Sequence, residues 1–463
     1  MRLFSEICLG LFLIGCAAPD KPPAAASRPP LHATRTGQLK AAPPQTPTPH
    51  ALCAPLSIDV PPPDHAAVSA PQIPLVDLSG REQMAPFYER LAQLARGTAQ
   101  DHVRIGFYGD SNGTRDFITG ELRRVLQGRF GDAGHGYIAL GRPWSWYLHM
   151  DVRHNADKDA WKLYNESTIQ LGDRLYGFGG IAVQSQGKGA RTWVASAVEG
   201  APVGTRISSV EIMYLQHPGY GRFSVELDRK VVGEVDTASE HISAGSKRFE
   251  FKDAPHRIDF IAGEKFVRLL GAILERKEPG VVVDDIAVGG VNSELIARSD
   301  RDLTVQTLRM RKHDLFVLLT GATEPDSAKH MTALREIVQR HQEARPGVPF
   351  VIMTPPDLAG GTLKAPTKSV RIGQIGKQKL KVAKELRTMF WDFRAAMGGE
   401  QSIVRFAENK MAWTDFIHLT EKGGRLMGAR FATALLHDFQ RYLTAHPAAG
   451  CRDDAPAQQP PTR

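Results

Sequence analysis

The stretch Val103-Arg-Ile-Gly-Phe-Tyr-Gly-Asp-Ser-Asn112 constrains this chain more than any other. It is short, rich in β-branched and aromatic residues and shows little alternation, which predicts a strand covered on both faces. Gly109 then permits a tight turn that lifts Ser111 clear of the strand end. Downstream, Phe117, Ile118, Leu122, Val125 and Leu126 have helical spacing, so a helix is predicted over 116–127. Strand, sharp turn with serine, then helix is the geometry that exposes a nucleophile at the carboxyl edge of a parallel sheet. The same residues also suit an ordinary Asp-Ser helix cap. The rest of the chain has to separate these readings.

Residues 1–16 read as an export signal: one Arg, then an apolar run from Ile7 to Ile14 that is too short to span a bilayer as a mature helix. Leu13-Ile14-Gly15-Cys16 resembles the bacterial lipobox, and the resemblance implies lipidation at Cys16. That places the protein in a bacterial cell envelope, lipid-anchored and extracytoplasmic, on an outer-membrane, periplasmic or surface face. Residues 17–72 form a Pro/Ala-rich linker with too few apolar side chains to offset chain entropy. In an oxidising compartment Cys53 and Cys451 are expected to pair and clamp the two chain ends; two separate thiols are the alternative. The formal charge of +8 fits anionic envelope polymers or lipid headgroups better than nucleic acid. No Cys-x-x-Cys or His-x-x-x-His ligand set is present, and no metal or other cofactor is expected.

A predicted helix over 81–96 precedes the opening strand. Residues 165–279 change character, to short alternating segments separated by Gly and Pro, and predict an all-β sandwich or jelly roll inserted into a host α/β domain of residues 73–164 and 280–445. The host resumes at Gly280-Val-Val-Val-Asp-Asp-Ile, and further strands are predicted over 315–320, 349–353 and 389–393. Helices are predicted over 326–344, 376–388 and 421–443, and a tail over 446–463. A parallel sheet between helix layers is the economical arrangement. Between Lys364 and Arg387 eight Lys or Arg stand against one Glu. This run reads as a solvated helix face, with contact to acidic glycan or peptide stems as the alternative. His135, Trp144 and Trp146 occupy a glycine-rich and aromatic loop region of the kind that lines a sugar or acyl pocket, or simply packs.

Near the end, Asp415 lies three residues before His418. A carboxylate so placed can reach Nδ1, fix the tautomer and leave Nε2 to take a proton from a serine. In order along the chain stand Gly109-Asp110-Ser111-Asn112, Gly289-Gly290-Val291-Asn292, Gly321-Ala322-Thr323-Glu324 and Asp415-Phe416-Ile417-His418. Together they resemble the SGNH, or GDSL, hydrolase superfamily over about residues 73–443, the β segment excepted. The resemblance implies a flavodoxin-like three-layer parallel sheet and a serine hydrolase. It makes Ser111 the nucleophile, His418 the general base and then acid, and Asp415 its orienting partner. The oxyanion would be held by the Ser111 amide, the amide of Gly290 (Gly289 less so) and a side chain of the third block. There the family has asparagine and this chain has Thr323. Losing one such donor typically costs about 10²- to 10³-fold in rate. Either Thr323 substitutes, or Asn112 or Asn292 reaches in, or activity is weak. Asp110 and Asn112 join His135, Trp144 and Trp146 as pocket candidates.

A β-sandwich within such a domain also resembles bacterial peptidoglycan O-acetylesterases. That implies an esterase acting on an acetylated envelope glycan through an acetyl-serine intermediate; its oligomeric state is not fixed by the sequence, a monomer being the expectation. Glycan acyl transfer on the same scaffold, or a catalytically weak glycan binder, are the alternatives.

Overall fold

The computed structural model describes residues 54–60 and 68–451. Cys16 and Cys53 lie outside the described residues, and with them the lipidation and disulfide expectations. Among the described residues no helix is long and apolar enough to cross a membrane.

The strands of the principal sheet are β1 (Val76–Asp77), β2 (Val103–Gly109), β14 (Val281–Ala287), β15 (Leu315–Leu319), β16 (Phe350–Met353) and β19 (Met389–Trp391). The strands between β2 and β14 are β3 (Gly136–Ile138), β4 (Val152–Ala156), β5 (Trp161–Asn165), β6 (Ile181–Ser185), β7 (Arg191–Ser196), β8 (Ile207–Gln216), β9 (Arg222–Leu227), β10 (Lys230–Asp236), β11 (Ser243–Ala254), β12 (Arg257–Ala262) and β13 (Arg268–Glu275). A small hairpin, β17 (Ala359–Thr362) with β18 (Ala365–Lys368), precedes β19.

The principal sheet runs β1-β19-β16-β15-β2-β14, parallel except for β1. Numbered among the five parallel strands alone, the order is 2-1-3-4-5, the flavodoxin-like arrangement. Such a sheet buries both faces, and its strands divide their side chains accordingly. Leu315, Val317 and Leu319 join one core, with α1 (Ala85–Ala95), α2 (Phe117–Phe130) and α7 (Glu421–Ala445). Phe316 and Leu318 point into the other, with α4 (Arg301–Arg311), α5 (Ala328–Ala344) and α6 (Val370–Leu386). Three layers follow from that alternation.

Two antiparallel sheets occupy the chain between α2 and β14. One runs β10-β9-β12-β7-β4, the other β11-β8-β13-β6-β5 with β3 beside β13. They share a buried cluster that includes Val194, Phe223 and Phe260 from the first sheet and Ile212, Leu269 and Leu274 from the second. The opposite face of the second sheet, with Met213, Leu215, Leu270 and Ile273, packs into the α4 and α5 side of the parallel sheet. These sheets begin at Gly136, well ahead of the expected boundary at 165. Residues 152–156 carry Arg153, His154 and Asn155 in succession, and 161–165 place Leu163 and Tyr164 side by side, so neither strand gives a sustained apolar alternation to read.

The second sheet is joined to the parallel sheet by buried charge. Arg311 donates to Asp284 (2.6 and 2.9 Å) on β14 and to Glu275 (2.6 Å) at the end of β13. The Tyr137 amide on β3 also donates to Asp284 (2.8 Å), and His313 Nε2 lies 2.6 Å from the same carboxylate. Burial raises the Asp284 pKa, but Arg311 and His313 outweigh it and hold the carboxyl well below its ordinary range.

Candidate active site

Ser111 stands at the carboxyl end of β2, the strand flanked by β14 and β15, where strand order reverses in a sheet of this kind. The residue capping α2 is Asp116, so Ser111 is not the helix cap. The turn is tied down by Asp110, which is buried. Its Oδ1 accepts from the Asn112 amide (3.0 Å), and its Oδ2 accepts from the amides of Gly321 and Ala322 (3.1 Å each). Burial raises the Asp110 pKa despite those donors. Asp110 therefore clips the serine turn to the third sequence block and presents nothing to solvent.

The Asp415–His418 loop faces Ser111. His418 Nε2 lies 2.9 Å from Ser111 Oγ, and Nδ1 lies 2.8 Å from Asp415 Oδ2. Asp415 Oδ1 accepts from the amides of Ile417 (2.9 Å) and His418 (3.1 Å), which shapes the loop around the carboxylate. Between them Phe416 is buried in a left-handed conformation (φ 54°). Strain of this kind persists where the surroundings over-determine a conformation. For Asp415, burial raises the pKa, and the hydrogen bonds from His418 and the two amides more than offset it, so the net shift is downward. A carboxylate on Nδ1 fixes the proton there and leaves Nε2 as acceptor for the serine hydroxyl.

Asn112 holds this loop on both sides of the histidine. Its Nδ2 donates to the Ile417 carbonyl (3.2 Å) and its Oδ1 accepts from the Leu419 amide (2.9 Å). Asn112 is thus committed to positioning and does not reach toward an oxyanion. Asn292 is committed too: it caps the short helix α3 (Ser293–Ala297), accepting from Leu295 N at 3.0 Å.

The turn after β14 brings Gly289-Gly290 next to the serine turn, anchored by the Val288 amide on the Gly109 carbonyl (3.1 Å). Gly290 has φ +75°, a region that favours glycine. Among the described residues neither the Ser111 nor the Gly290 amide donates to a protein acceptor, so both remain available to a ligand. Thr323 is exposed, but its Oγ1 donates to the Val291 carbonyl at 2.9 Å. Its hydroxyl stiffens the Gly290 turn.

The third block is also held from the basic run. Arg371 donates to the carbonyls of Glu324 (2.6 Å) and Ala322 (2.8 Å). Lys379 is completely buried, donating to the Thr320 carbonyl and to Thr320 Oγ1 (3.1 Å). Burial brings its pKa down to about 8. The expectation of a solvated helix face fails at these two side chains, whose tertiary partners lie far away in sequence.

Of the remaining pocket candidates, His135 is buried, its ring against the Asp151 carbonyl and 6.0 Å from that of His149; burial lowers its pKa. It lines no open pocket. Trp144 packs edge-on against Tyr147. Trp146 is 55% exposed, and so, at 54%, is Trp413, which sits on the Asp415–His418 loop and donates its backbone amide to the His418 carbonyl (2.8 Å). The only sequence signal for Trp413 is its place two residues before the Asp-x-x-His spacing.

No family model matches the sequence. No curated protein matches it. Among solved structures, a peptidoglycan O-acetylesterase superposes with a TM-score of 0.66 at 22% identity, over 80% of this chain and 99% of that one. The two chains share a fold. A family two carbohydrate esterase from Clostridium thermocellum (10% identity, 59% of this chain and 96% of that one, TM-score 0.27) superposes too loosely to bear on the argument. The same holds for a lipase/acylhydrolase from Enterococcus faecalis (18% identity, 35% and 77%, TM-score 0.26). The shared fold accounts for the parallel sheet that positions the serine turn.

Proposed function

We propose that this chain is a serine esterase that removes O-acetyl groups from an envelope polysaccharide, with peptidoglycan as the first substrate to try. The observation that carries this reading is the unbroken relay from Asp415 through His418 to Ser111, with contacts of 2.8 and 2.9 Å. In the proposed reaction Ser111 Oγ attacks the acetyl carbonyl while His418 Nε2 takes its proton. The tetrahedral oxyanion meets the amides of Ser111 and Gly290. His418 then gives the proton to the departing sugar oxygen, leaving an acetyl-serine. Water, deprotonated by the same imidazole, attacks that ester, and acetate leaves with Ser111 restored. Asp415 stays ionised throughout and stabilises the imidazolium, a role its lowered pKa supports.

Fold likeness to the peptidoglycan O-acetylesterase supports an envelope glycan as substrate, and the sequence around Cys16 supports a lipid anchor that holds the enzyme near it. We read the two antiparallel sheets as an inserted sandwich. A serine-directed fluorophosphonate should label the wild type and not Ser111→Ala, and only the wild type should release acetate from O-acetylated peptidoglycan. Acetate release undiminished in Ser111→Ala, or a wild type that neither labels nor hydrolyses acetyl esters, would overturn the reading.

A further inference from the structure

The Gly290 turn has a neighbour from outside the parallel sheet. Ser167 follows β5, and its Oγ lies 2.9 Å from the point where a Cβ on Gly290 would sit. The segment carrying it is held on several sides. Asn165 Oδ1 accepts from the amides of Ser167 (2.9 Å) and Thr168 (2.7 Å), which closes a tight Asx turn. The Glu166 amide donates to the Gly180 carbonyl (3.1 Å), and the buried Glu166 carboxyl accepts from the Ser299 hydroxyl. Ser167 is half-buried, and among the described residues its hydroxyl has no protein hydrogen-bond partner. Thr323, by contrast, gives its hydroxyl to Val291.

A hydroxyl fixed beside the expected oxyanion turn, with no protein acceptor of its own, has the attributes of a preorganised donor. Thr323 has the expected sequence position with its donor spent; Ser167 has a free donor without the sequence position. We propose that Ser167 supplies the third hydrogen bond to the oxyanion, so that the antiparallel sheets complete the reaction centre. The inference rests on the esterase reading of Ser111. It also gives Gly290 a second reason to be glycine, since any Cβ there would press on Ser167 Oγ.

The test is steady-state hydrolysis of 4-nitrophenyl acetate by the full chain and its variants, with fluorophosphonate labelling of Ser111 run in parallel. Ser167→Ala should lower kcat by about 10²-fold, the usual loss on removing one such donor, with KM within a few-fold of wild type. Thr323→Val should lower kcat by less than about tenfold on the same scale. Ser167→Cys keeps a γ atom in the turn but offers only a weak S–H donor, so it should reproduce the loss even if alanine disturbs the turn. Near-wild-type kcat in Ser167→Ala or Ser167→Cys, or the large loss appearing in Thr323→Val, overturns this assignment while leaving the esterase standing. A wild type that neither labels nor hydrolyses the acetyl ester removes both.

Discussion

Replacing Asn112 by alanine separates positioning from chemistry at this site. The side chain grips the loop at the Ile417 carbonyl and the Leu419 amide, immediately before and after His418. Truncation removes both bonds, and it strands the buried Leu419 amide without an acceptor. A lost hydrogen bond is worth about 0.5–1.5 kcal/mol and an orphaned buried polar group about 1–3 kcal/mol, so Asn112→Ala should cost roughly 2–4 kcal/mol of stability. Catalysis should suffer more than stability implies, because a misplacement of roughly 1 Å in a reacting group can cost 10²-fold. The loss should fall on kcat, with KM for 4-nitrophenyl acetate nearly unchanged. Asn112→Asp refines the test: it keeps the acceptor for Leu419 and turns an oxygen toward the Ile417 carbonyl, so it should lose activity through repulsion on one side only. Urea unfolding followed by tryptophan fluorescence, together with kcat and KM, gives both readouts. An Asn112→Ala protein with wild-type kcat and an unchanged urea midpoint would refute the idea that this side chain holds His418 against Ser111.

Asp110→Asn should lower the rate of fluorophosphonate labelling by about tenfold or more, through a small displacement of Ser111 Oγ. Its amide nitrogen must face either the Asn112 amide or those of Gly321 and Ala322, donor against donor; labelling at the wild-type rate would count against this. Glu166 gives a stability signature with pH. Burial, opposed by the Ser299 hydroxyl and Arg340, pushes its carboxyl up to about 8. A raised folded-state pKa means the contribution is fully present below the ordinary carboxylate range and is lost as pH rises through about 8, at about 1.4 kcal/mol per unit. Glu166→Gln should therefore flatten the decline in Tm between acid and mildly alkaline buffer, and parallel Tm–pH profiles would refute it.

What the sequence disclosed depended on whether the information was local. The serine turn, the Asp415–His418 spacing and the parallel strands are encoded within a few residues each, and the fold brings His418 to 2.9 Å from Ser111. The strand Arg268–Glu275 is buried along its whole length and leaves no alternation to detect. Lys379 and Arg371 sit in a run that looks solvated, yet their partners lie on the strand end and loop of the third block. The identity of Thr323 was legible at once, whereas the direction of its hydroxyl depends on a carbonyl 32 residues away. Ser167 carries no motif at all; only the packing of the segment after β5 against the Gly290 turn gives it meaning. For Asn112 a signal did exist, its place directly after Ser111, but not the loop it would grip.

The ion cluster between β13, β14 and α4 bears on what evolution or an engineer could exchange. Glu275 belongs to the antiparallel part and Asp284 to the parallel sheet, and Arg311 needs both. Substituting another segment for residues 136–275 would leave the buried Arg311 guanidinium with Asp284 but without Glu275, the loss of a charged hydrogen bond worth about 1.5–3 kcal/mol. It would also strip the Tyr137 amide from Asp284. The two parts should accordingly melt in one calorimetric transition, and grafts that succeed should carry their own charge to the Arg311 position. The antiparallel sheets are a fixture of the protein rather than an attachment to it.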